Sequence, residues 1–247
     1  MTSQTSRRTL LTGTAAAALS GLAGCSTLTG SGSGTTTTAS ALTDTKVRAS
    51  TAETGYGIDL SANPVLGSSD APVDVYYWTD YQCPFCGRFE ENAFPKLLEN
   101  HVAAGEIRLV LLQFPNIGEA STTAARLDKC VWRQVKESNP GAYLDWHAAV
   151  FDAQEKPNSG WATMPNLIDI GNDIDGLDAE VATDCRKNET EWAKSAVGDD
   201  VSAGTDSGIS ATPGFVLYNT ESDKAGRIVG AQPYERFESA IEQVKNA

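Results

Sequence analysis

Side chains that bind metals are scarce in this chain of 247 residues. It has only two histidines, His101 and His147, which lie far apart in the sequence, and its five cysteines include a single closely spaced pair. A structural zinc site needs four thiolate or imidazole ligands, usually supplied by a second CxxC or by a histidine pair. The sequence has neither arrangement, so we predict no metal and no other cofactor.

Basic residues are also in short supply. The chain has 19 lysines and arginines against 32 aspartates and glutamates, which gives a net charge of −13. A surface of this sign repels phosphates and argues against nucleic acid or anionic lipid as a partner. Adaptation of the surface to high salt is one explanation of the acidic excess, and attraction of basic client proteins is the other.

The most informative stretch is CPFC at residues 83–86. Residues 73–79 are mostly β-branched or aromatic and predict a buried strand, whereas Pro84 suits the first position of a helix. A cysteine at a helix N-terminus faces unpaired N–H groups that stabilise its thiolate. We therefore predict a redox-active dithiol, with Cys83 as an exposed nucleophile and Cys86 as the thiol that resolves a mixed disulfide.

The CPFC stretch has two other interpretations. A pair of zinc ligands would lack the two partners that such a site requires. A purely structural disulfide is rarely built as a CxxC that opens a helix after a strand. The dithiol interpretation is therefore preferred.

Residues 81–89 (YQCPFCGRF) resemble the active-site segment of the DsbA-like thiol:disulfide oxidoreductases, a branch of the thioredoxin superfamily. The resemblance continues in the same order at residues 66–73, 211–217 and 230–237. It implies an α/β thioredoxin fold over residues 56–247, with a central mixed sheet built as βαβ and then ββα. A helical block at about residues 119–207 would be inserted between the two halves.

The resemblance also implies a set of residues that support the dithiol. Thr212 and Pro213 match the family's loop beside the CxxC, and we predict a cis peptide between them. Pro84 and Phe85 form the dipeptide between the cysteines, where Phe85 replaces the histidine of the most oxidising relatives. Glu90 matches a family glutamate.

One position departs from the family. Many relatives carry a buried acid six residues before the nucleophile, and Tyr77 occupies that place here. The nearby acids are Asp80 and Glu90, either of which could pass protons through water.

Cys130 and Cys185 are each placed on a predicted helix of the inserted block. In an exported protein, a disulfide between them is expected. Two buried, reduced cysteines are the alternative.

The N-terminal region predicts export. Residues 6–11 (SRRTLL) form a twin-arginine pattern within a signal at residues 1–24, and residues 22–25 (LAGC) resemble a lipobox with Cys25 as the lipidated residue. Cleavage nearby without lipid attachment is the alternative. Residues 25–55 are rich in Gly, Ser and Thr and predict a flexible tether. Asn188 begins a glycosylation sequon.

Together these features predict a membrane-tethered, extracytoplasmic thiol:disulfide oxidoreductase. Its partners would be exported client proteins with free thiols or disulfides, an unidentified redox partner, and the membrane through the lipid on Cys25. Disulfide formation is the favoured direction. The alternatives are a disulfide reductase or isomerase, or a peptide-binding or chaperone module that uses the same groove without turnover.

Overall fold

Strand β3 (Val73–Thr79) lies at the centre of a six-stranded mixed sheet and is buried along its whole length. The other strands are β1 (Val47–Arg48), β2 (Val65–Leu66), β4 (Ile107–Gln113), β5 (Gly214–Asn219) and β6 (Ala225–Val229). The order across the sheet is β1-β2-β4-β3-β5-β6. Strands β3 and β4 run parallel, and every other neighbouring pair is antiparallel.

The alternation of side chains along β3 separates two apolar layers. Val75 and Tyr77 pack into the larger core with the CPFC helix, whereas Tyr76 and Trp78 pack into a smaller core on the opposite face. Large apolar side chains on both faces require cover on both faces, which explains why this strand is central.

This computed structural model describes residues 45–247. The predicted signal at residues 1–24, Cys25 and the predicted tether as far as residue 44 lie outside the described residues. Strand β1 pairs with β2, so the predicted tether ends earlier than residue 55. Within residues 45–247, no helix combines the length and apolar character needed to cross a membrane.

Eight α-helices surround the described part of the sheet. They are α1 (Pro84–Asn92), α2 (Phe94–Leu97), α3 (Glu119–Val135), α4 (Gly141–Asp152), α5 (Met164–Asn172), α6 (Ala179–Asn188), α7 (Thr190–Asp206) and α8 (Tyr234–Lys245). Helix α1 and the parallel strands form the predicted βαβ unit, and β5, β6 and α8 form the predicted ββα unit. Helices α3 to α7 form the inserted block.

Two helix predictions are corrected by the structure. The residue pattern predicts a single helix from about residue 84 to 104, but in the structure this helix is interrupted after Asn92 and ends in a π-helical turn, Leu98–Val102. Pro95 has no N–H to donate to the carbonyl four residues earlier, which prevents a continuous helix. The residue pattern also predicts one helix over residues 178–192, but the structure divides it at Glu189, where the backbone is not helical (φ −115°, ψ 37°).

A disulfide joins Cys130 on α3 to Cys185 on α6, as the sequence predicts. It links two helices of the inserted block that are 55 residues apart in sequence.

A buried ion pair connects the same block to the sheet. The ammonium of Lys129 on α3 lies 2.5 Å from a carboxylate oxygen of Asp200 on α7, and the two side chains are 1% and 2% exposed. Lys129 also donates to Asn63 Oδ1 at 2.5 Å, and Asp200 accepts the backbone N–H of Gln113 at 2.7 Å. The pair is therefore fully partnered on both sides.

Candidate active site

Cys83 and Cys86 lie at the start of helix α1. Cys83 has an extended backbone (φ −79°, ψ 116°) and Pro84 is the first helical residue. The carbonyl of Cys83 accepts the backbone N–H of Cys86 at 2.9 Å and that of Gly87 at 3.2 Å. Both cysteines are free thiols in this structure. The strand–turn–helix arrangement predicted around the pair is present.

The prediction that Cys83 is exposed is wrong. Cys83 is only 3% exposed, and Cys86 is completely buried. The loop containing Thr212 and Pro213, whose peptide bond is cis as predicted, lies against Cys83. The Cys83 thiol donates to the carbonyl of Thr212 at an Sγ–O distance of 3.2 Å. Sequence alone could not show how closely this distant loop covers the sulfur.

The two thiols differ sharply in acidity. The pKa of Cys83 is lowered to about 6, chiefly by a hydrogen bond from the Cys86 thiol and further by the side chain of Thr212 and backbone N–H groups, which outweigh the opposing effect of burial. Burial raises the pKa of Cys86 well above its usual range. At neutral pH Cys83 is therefore a thiolate and Cys86 a neutral thiol, which suits a nucleophile and a resolving group.

The depressed pKa predicts the pH dependence of alkylation. In the reduced protein, modification of Cys83 by iodoacetamide should rise through a midpoint near pH 6, because only the thiolate reacts. Cys86→Ala should move this midpoint upwards, since it removes the largest stabilising hydrogen bond. A wild-type midpoint near 8.5, that of an ordinary thiol, would contradict this description of the site.

Asp80 holds the turn that leads into the dithiol. Its buried carboxylate accepts the backbone N–H groups of Gln82 at 2.9 Å, Asn116 at 2.9 Å and Ile117 at 3.1 Å. These three hydrogen bonds to backbone N–H groups indicate that the carboxylate stabilises the loop. The suggestion that Asp80 passes protons is therefore not supported by its contacts.

A second set of contacts reaches the same turn from the inserted block. Gln154, just after α4, donates to the carbonyl of Tyr81 at 2.5 Å and to that of Cys83 at 3.1 Å. The amide oxygen of Gln82 accepts the backbone N–H of Asn158 at 2.9 Å. We call Gln154, Gln82 and Asn158 the amide clamp. No sequence pattern indicated it, because its members are joined only by tertiary packing.

Two large apolar side chains remain exposed among the described residues. Phe85, between the cysteines, is 51% exposed, and Val229 on β6 is 46% exposed. Val229 pairs with Gly214, directly after Pro213. We call Phe85 and Val229 the apolar rim. Isolated exposed hydrophobic residues are common, but these two flank the loops that carry the sulfur and Thr212.

Behind the dithiol, the side chain of Glu90 is buried. It is 9% exposed, and its Oε1 accepts the Tyr77 hydroxyl at 2.8 Å and lies 3.0 Å from His147 Nε2. The other ring nitrogen of His147 lies 3.0 Å from the Tyr81 hydroxyl, which donates to Asp128 at 2.5 Å. Tyr77 thus occupies the position at which many relatives have a buried acid, and its hydroxyl donates to the carboxylate of Glu90 on α1.

His147, Tyr81 and Asp128 were missed as members of the site. Helical spacing in the sequence predicts only that His147 faces the core, and nothing in the sequence pairs it with Glu90. Burial raises the pKa of Asp128, and burial together with the neighbouring carboxylates raises those of Tyr77 and Tyr81 well above their usual range. Both tyrosines therefore remain neutral.

Comparison with known proteins places this arrangement in a family. A thioredoxin family model matches residues 60–243, which is most of the chain. The structure of oxidised BdbD from Bacillus subtilis superposes with a TM-score of 0.65 and 26% identity, over 81% of this chain and 100% of that one. The chain is a DsbA-like member of the thioredoxin superfamily. The family and the fold class predicted from the sequence are confirmed.

Two other proteins are similar to this chain, one in sequence and one in fold. Disulfide bond formation protein D of Bacillus subtilis is 29% identical over 131 residues, which are 53% of this chain and 57% of that protein. The chain therefore matches little more than half the length of this curated relative. DsbA of Chlamydia trachomatis shares the fold, with a TM-score of 0.62 and 22% identity over 74% of this chain and 91% of that one.

Proposed function

We propose that this DsbA-like protein is a thiol:disulfide oxidoreductase that exchanges disulfides with other proteins through Cys83 and Cys86. The observation that carries the proposal is the pairing of a low-pKa sulfur at a helix N-terminus with a buried, neutral partner thiol directly behind it. The relatives named for disulfide bond formation support the same activity.

Disulfide formation is the favoured direction. A client thiolate attacks Cys83 of the oxidised pair, the bond between the two cysteines breaks, and Cys86 leaves as a thiolate that takes up a proton. A second thiolate of the client then attacks the client's first sulfur, which is bonded to Cys83 in the mixed disulfide. This forms the client's disulfide and releases the Cys83 thiolate. The client loses two electrons, and the reduced pair passes them to a redox partner. A stabilised Cys83 thiolate favours the reduced pair and therefore makes the protein an oxidant.

The surface around the sulfur suits an unfolded client. The apolar rim exposes Phe85 between the two cysteines and Val229 opposite Gly214, which follows the Thr212–Pro213 loop, and both offer contact to apolar side chains of a client. Arg88 lies over the Phe85 ring, 5.1 Å from its centroid, and keeps a cation at this edge of an otherwise acidic protein.

The clients are proposed to be exported proteins. This rests on the twin-arginine signal at residues 1–24, the lipobox ending at Cys25 and the tether that follows. In this proposal a lipid on Cys25 holds the domain at the extracytoplasmic face of the membrane, and the tether sets its reach.

Transfer of a disulfide to a model client tests the function. Oxidised protein should restore activity to reduced, unfolded ribonuclease in stoichiometric amounts, and equilibration with glutathione at high salt should give a reduction potential near the oxidising end, about −120 mV. A potential near −270 mV would instead indicate a reductase. Binding of the unfolded chain with no loss of its thiols would favour the peptide-binding module.

A further inference from the structure

The disulfide of the inserted block has to be made after export. Glutathione and thioredoxin keep cytoplasmic thiols reduced, so a chain exported as proposed above leaves the cytoplasm with Cys130 and Cys185 as thiols. In the structure the two residues are joined between helices α3 and α6, with 5.8 Å between their Cα atoms. An oxidant outside the cytoplasm therefore has to take two electrons from this pair.

The two cysteines differ in accessibility. Cys130 is 1% exposed and belongs to the larger apolar core, whereas Cys185 is only partly buried against that core. A sulfur forms a mixed disulfide only where another sulfur can reach it. Cys185 is therefore the member of the pair that an oxidant meets first, and Cys130 is the thiol that resolves the mixed disulfide.

An open cavity of about 430 Å³ leads to this pair. Both cysteines line it, and so do the side chains of Arg133, Asp184 and Glu189. Its volume lies within the range of about 300–1,000 Å³ that is usual for binding pockets. The Arg133 guanidinium is a charge that stabilises a neighbouring thiolate, and the two carboxylates outnumber it. We call this space the disulfide cavity; its size and charge suit an apolar group that carries a cation.

The surface beside Cys83 has the complementary character. Phe85 is 51% exposed, and the guanidinium of Arg88 lies over its ring, 5.1 Å from the centroid. Arg88 is exposed, and none of the ion pairs among residues 45–247 involves it. An aromatic ring with an unpaired cation is thus presented next to the nucleophile, and it matches a cavity with an acidic lining.

We propose that a second copy of this chain is a client of the dithiol, and that Cys83 of one copy delivers the disulfide that joins α3 to α6 of another. The proposal rests on the proposed function, because it names a partner for the same site. In the encounter, Phe85 of the donor enters the disulfide cavity of the acceptor, and Arg88 of the donor faces Asp184 of the acceptor.

Each pair of sulfurs is fixed within its own part of the fold. Cys83 lies 3.2 Å from the carbonyl oxygen of Thr212 at the start of α1, whereas Cys185 is bonded to Cys130 in the inserted block. The donor and the acceptor are therefore different molecules, and the transfer rate should rise in proportion to the donor concentration.

The transfer balances in electrons and protons. The Cys185 thiolate of the reduced copy attacks Cys83 of the oxidised copy, the bond between Cys83 and Cys86 breaks, and Cys86 leaves as a thiolate that takes up a proton. Cys130 then loses its proton, attacks Cys185 and releases the Cys83 thiolate. The acceptor loses two electrons and the donor gains them, and the proton that Cys130 loses balances the one that Cys86 gains.

The test combines the oxidised full chain, as donor, with the reduced full-length variant Cys83→Ser/Cys86→Ser, as acceptor. Both carry Cys25→Ser, so Cys130 and Cys185 are the only thiols of the acceptor. Mass spectrometry of acid-quenched samples follows the acceptor's disulfide. Its formation should be about tenfold faster than with glutathione disulfide at the same concentration, because the Cys83 thiolate, with a pKa of about 6, is a better leaving group than an ordinary thiol.

Exchanging the charges tests where the two copies meet. At about 0.15 M salt, Arg88→Glu in the donor and Asp184→Arg in the acceptor should each slow the transfer by about tenfold, and the two together should restore most of the rate. Asp184 suits this exchange because its ion-pair partner, Lys187, is 3.8 Å away at the surface.

Two control donors accompany these variants. Lys224→Glu makes the same change of charge in the turn between β5 and β6, at the end of the sheet where β3 begins, and should leave the rate unchanged. Oxidised Cys83→Ser/Cys86→Ser keeps the bond between α3 and α6 but has no dithiol, and it should give no net oxidation of the acceptor.

A donor that oxidises the acceptor no faster than glutathione disulfide does, yet still transfers its disulfide to reduced ribonuclease, would overturn this inference and leave the proposed function intact. Unchanged rates in both Arg88→Glu and Asp184→Arg would overturn the docking of one copy on the disulfide cavity of the other. Failure to oxidise either the acceptor or ribonuclease would overturn the proposed function as well.

Discussion

Cys83→Ser is expected to abolish disulfide exchange, whereas Cys86→Ser should leave the protein able to start the reaction but unable to finish it. Loss of Cys83 removes the sulfur that forms the covalent intermediate, so the rate of disulfide transfer should fall by on the order of 10⁴-fold or more. Loss of Cys86 leaves the low-pKa nucleophile in place without its resolving thiol.

The asymmetry is measurable as trapped protein. Cys86→Ser, exposed in cells to native clients, should carry mixed disulfides that are visible on non-reducing gels and disappear on reduction. The double variant Cys83→Ser/Cys86→Ser is the control and should carry none. Clients released from the trap should be exported proteins. Trapping through Cys86 in Cys83→Ser at a comparable level would show that the roles of the two sulfurs are reversed.

The second large effect is expected at the buried ion pair. Lys129→Met should destabilise the protein by about 3–5 kcal/mol, because it leaves the Asp200 carboxylate buried without a counter-charge. For a domain of this size that is a fall in Tm of roughly 6–20 °C. Chemical denaturation of wild type and variant with the disulfide intact measures the free energy directly.

The effect of Lys129→Met should depend on pH. Burial already raises the pKa of Asp200 even beside the ammonium, and removing the ammonium raises it further. A carboxyl whose folded-state pKa lies above its unfolded value stabilises the fold as it takes up a proton. The difference in free energy of unfolding between the wild type and Lys129→Met should therefore become smaller as the pH falls.

The double variant Lys129→Met/Asp200→Leu removes both charges and serves as the control for this pair. It should recover much of the free energy of unfolding that Lys129→Met loses, because no unpaired charge is left in the interior. A single variant Lys129→Met within about 1 kcal/mol of the wild type would show that water or other groups solvate Asp200.

The sequence predicted the elements whose signals are local. Strand β3, the start of α1 at Pro84 and the final ββα unit are each marked by composition and by proline within a few residues. The cis peptide at Pro213 and the Cys130–Cys185 pairing required the family resemblance and the export signal as well. Strands β1 and β2 were missed because two residues are too few to show a period.

The rest of the site depends on contacts between distant segments. The burial of Cys83 depends on a loop 129 residues further along the chain. The burial of Glu90 depends in the same way on distant residues, since its partner His147 lies 57 residues away in the sequence. Helical spacing shows that a side chain faces the core but not which groups it meets there, so polar pairs in the interior stayed hidden.

The amide clamp bears on attempts to transplant this chemistry. The CPFC turn is held by Gln154 and Asn158, and both come from the inserted block rather than from the sheet. Grafting residues 81–89 onto a minimal thioredoxin scaffold would bring the two sulfurs and leave behind the amides that fix their turn, together with the histidine that contacts Glu90. A functional graft therefore has to include the inserted helices, which makes the whole domain the smallest transferable unit.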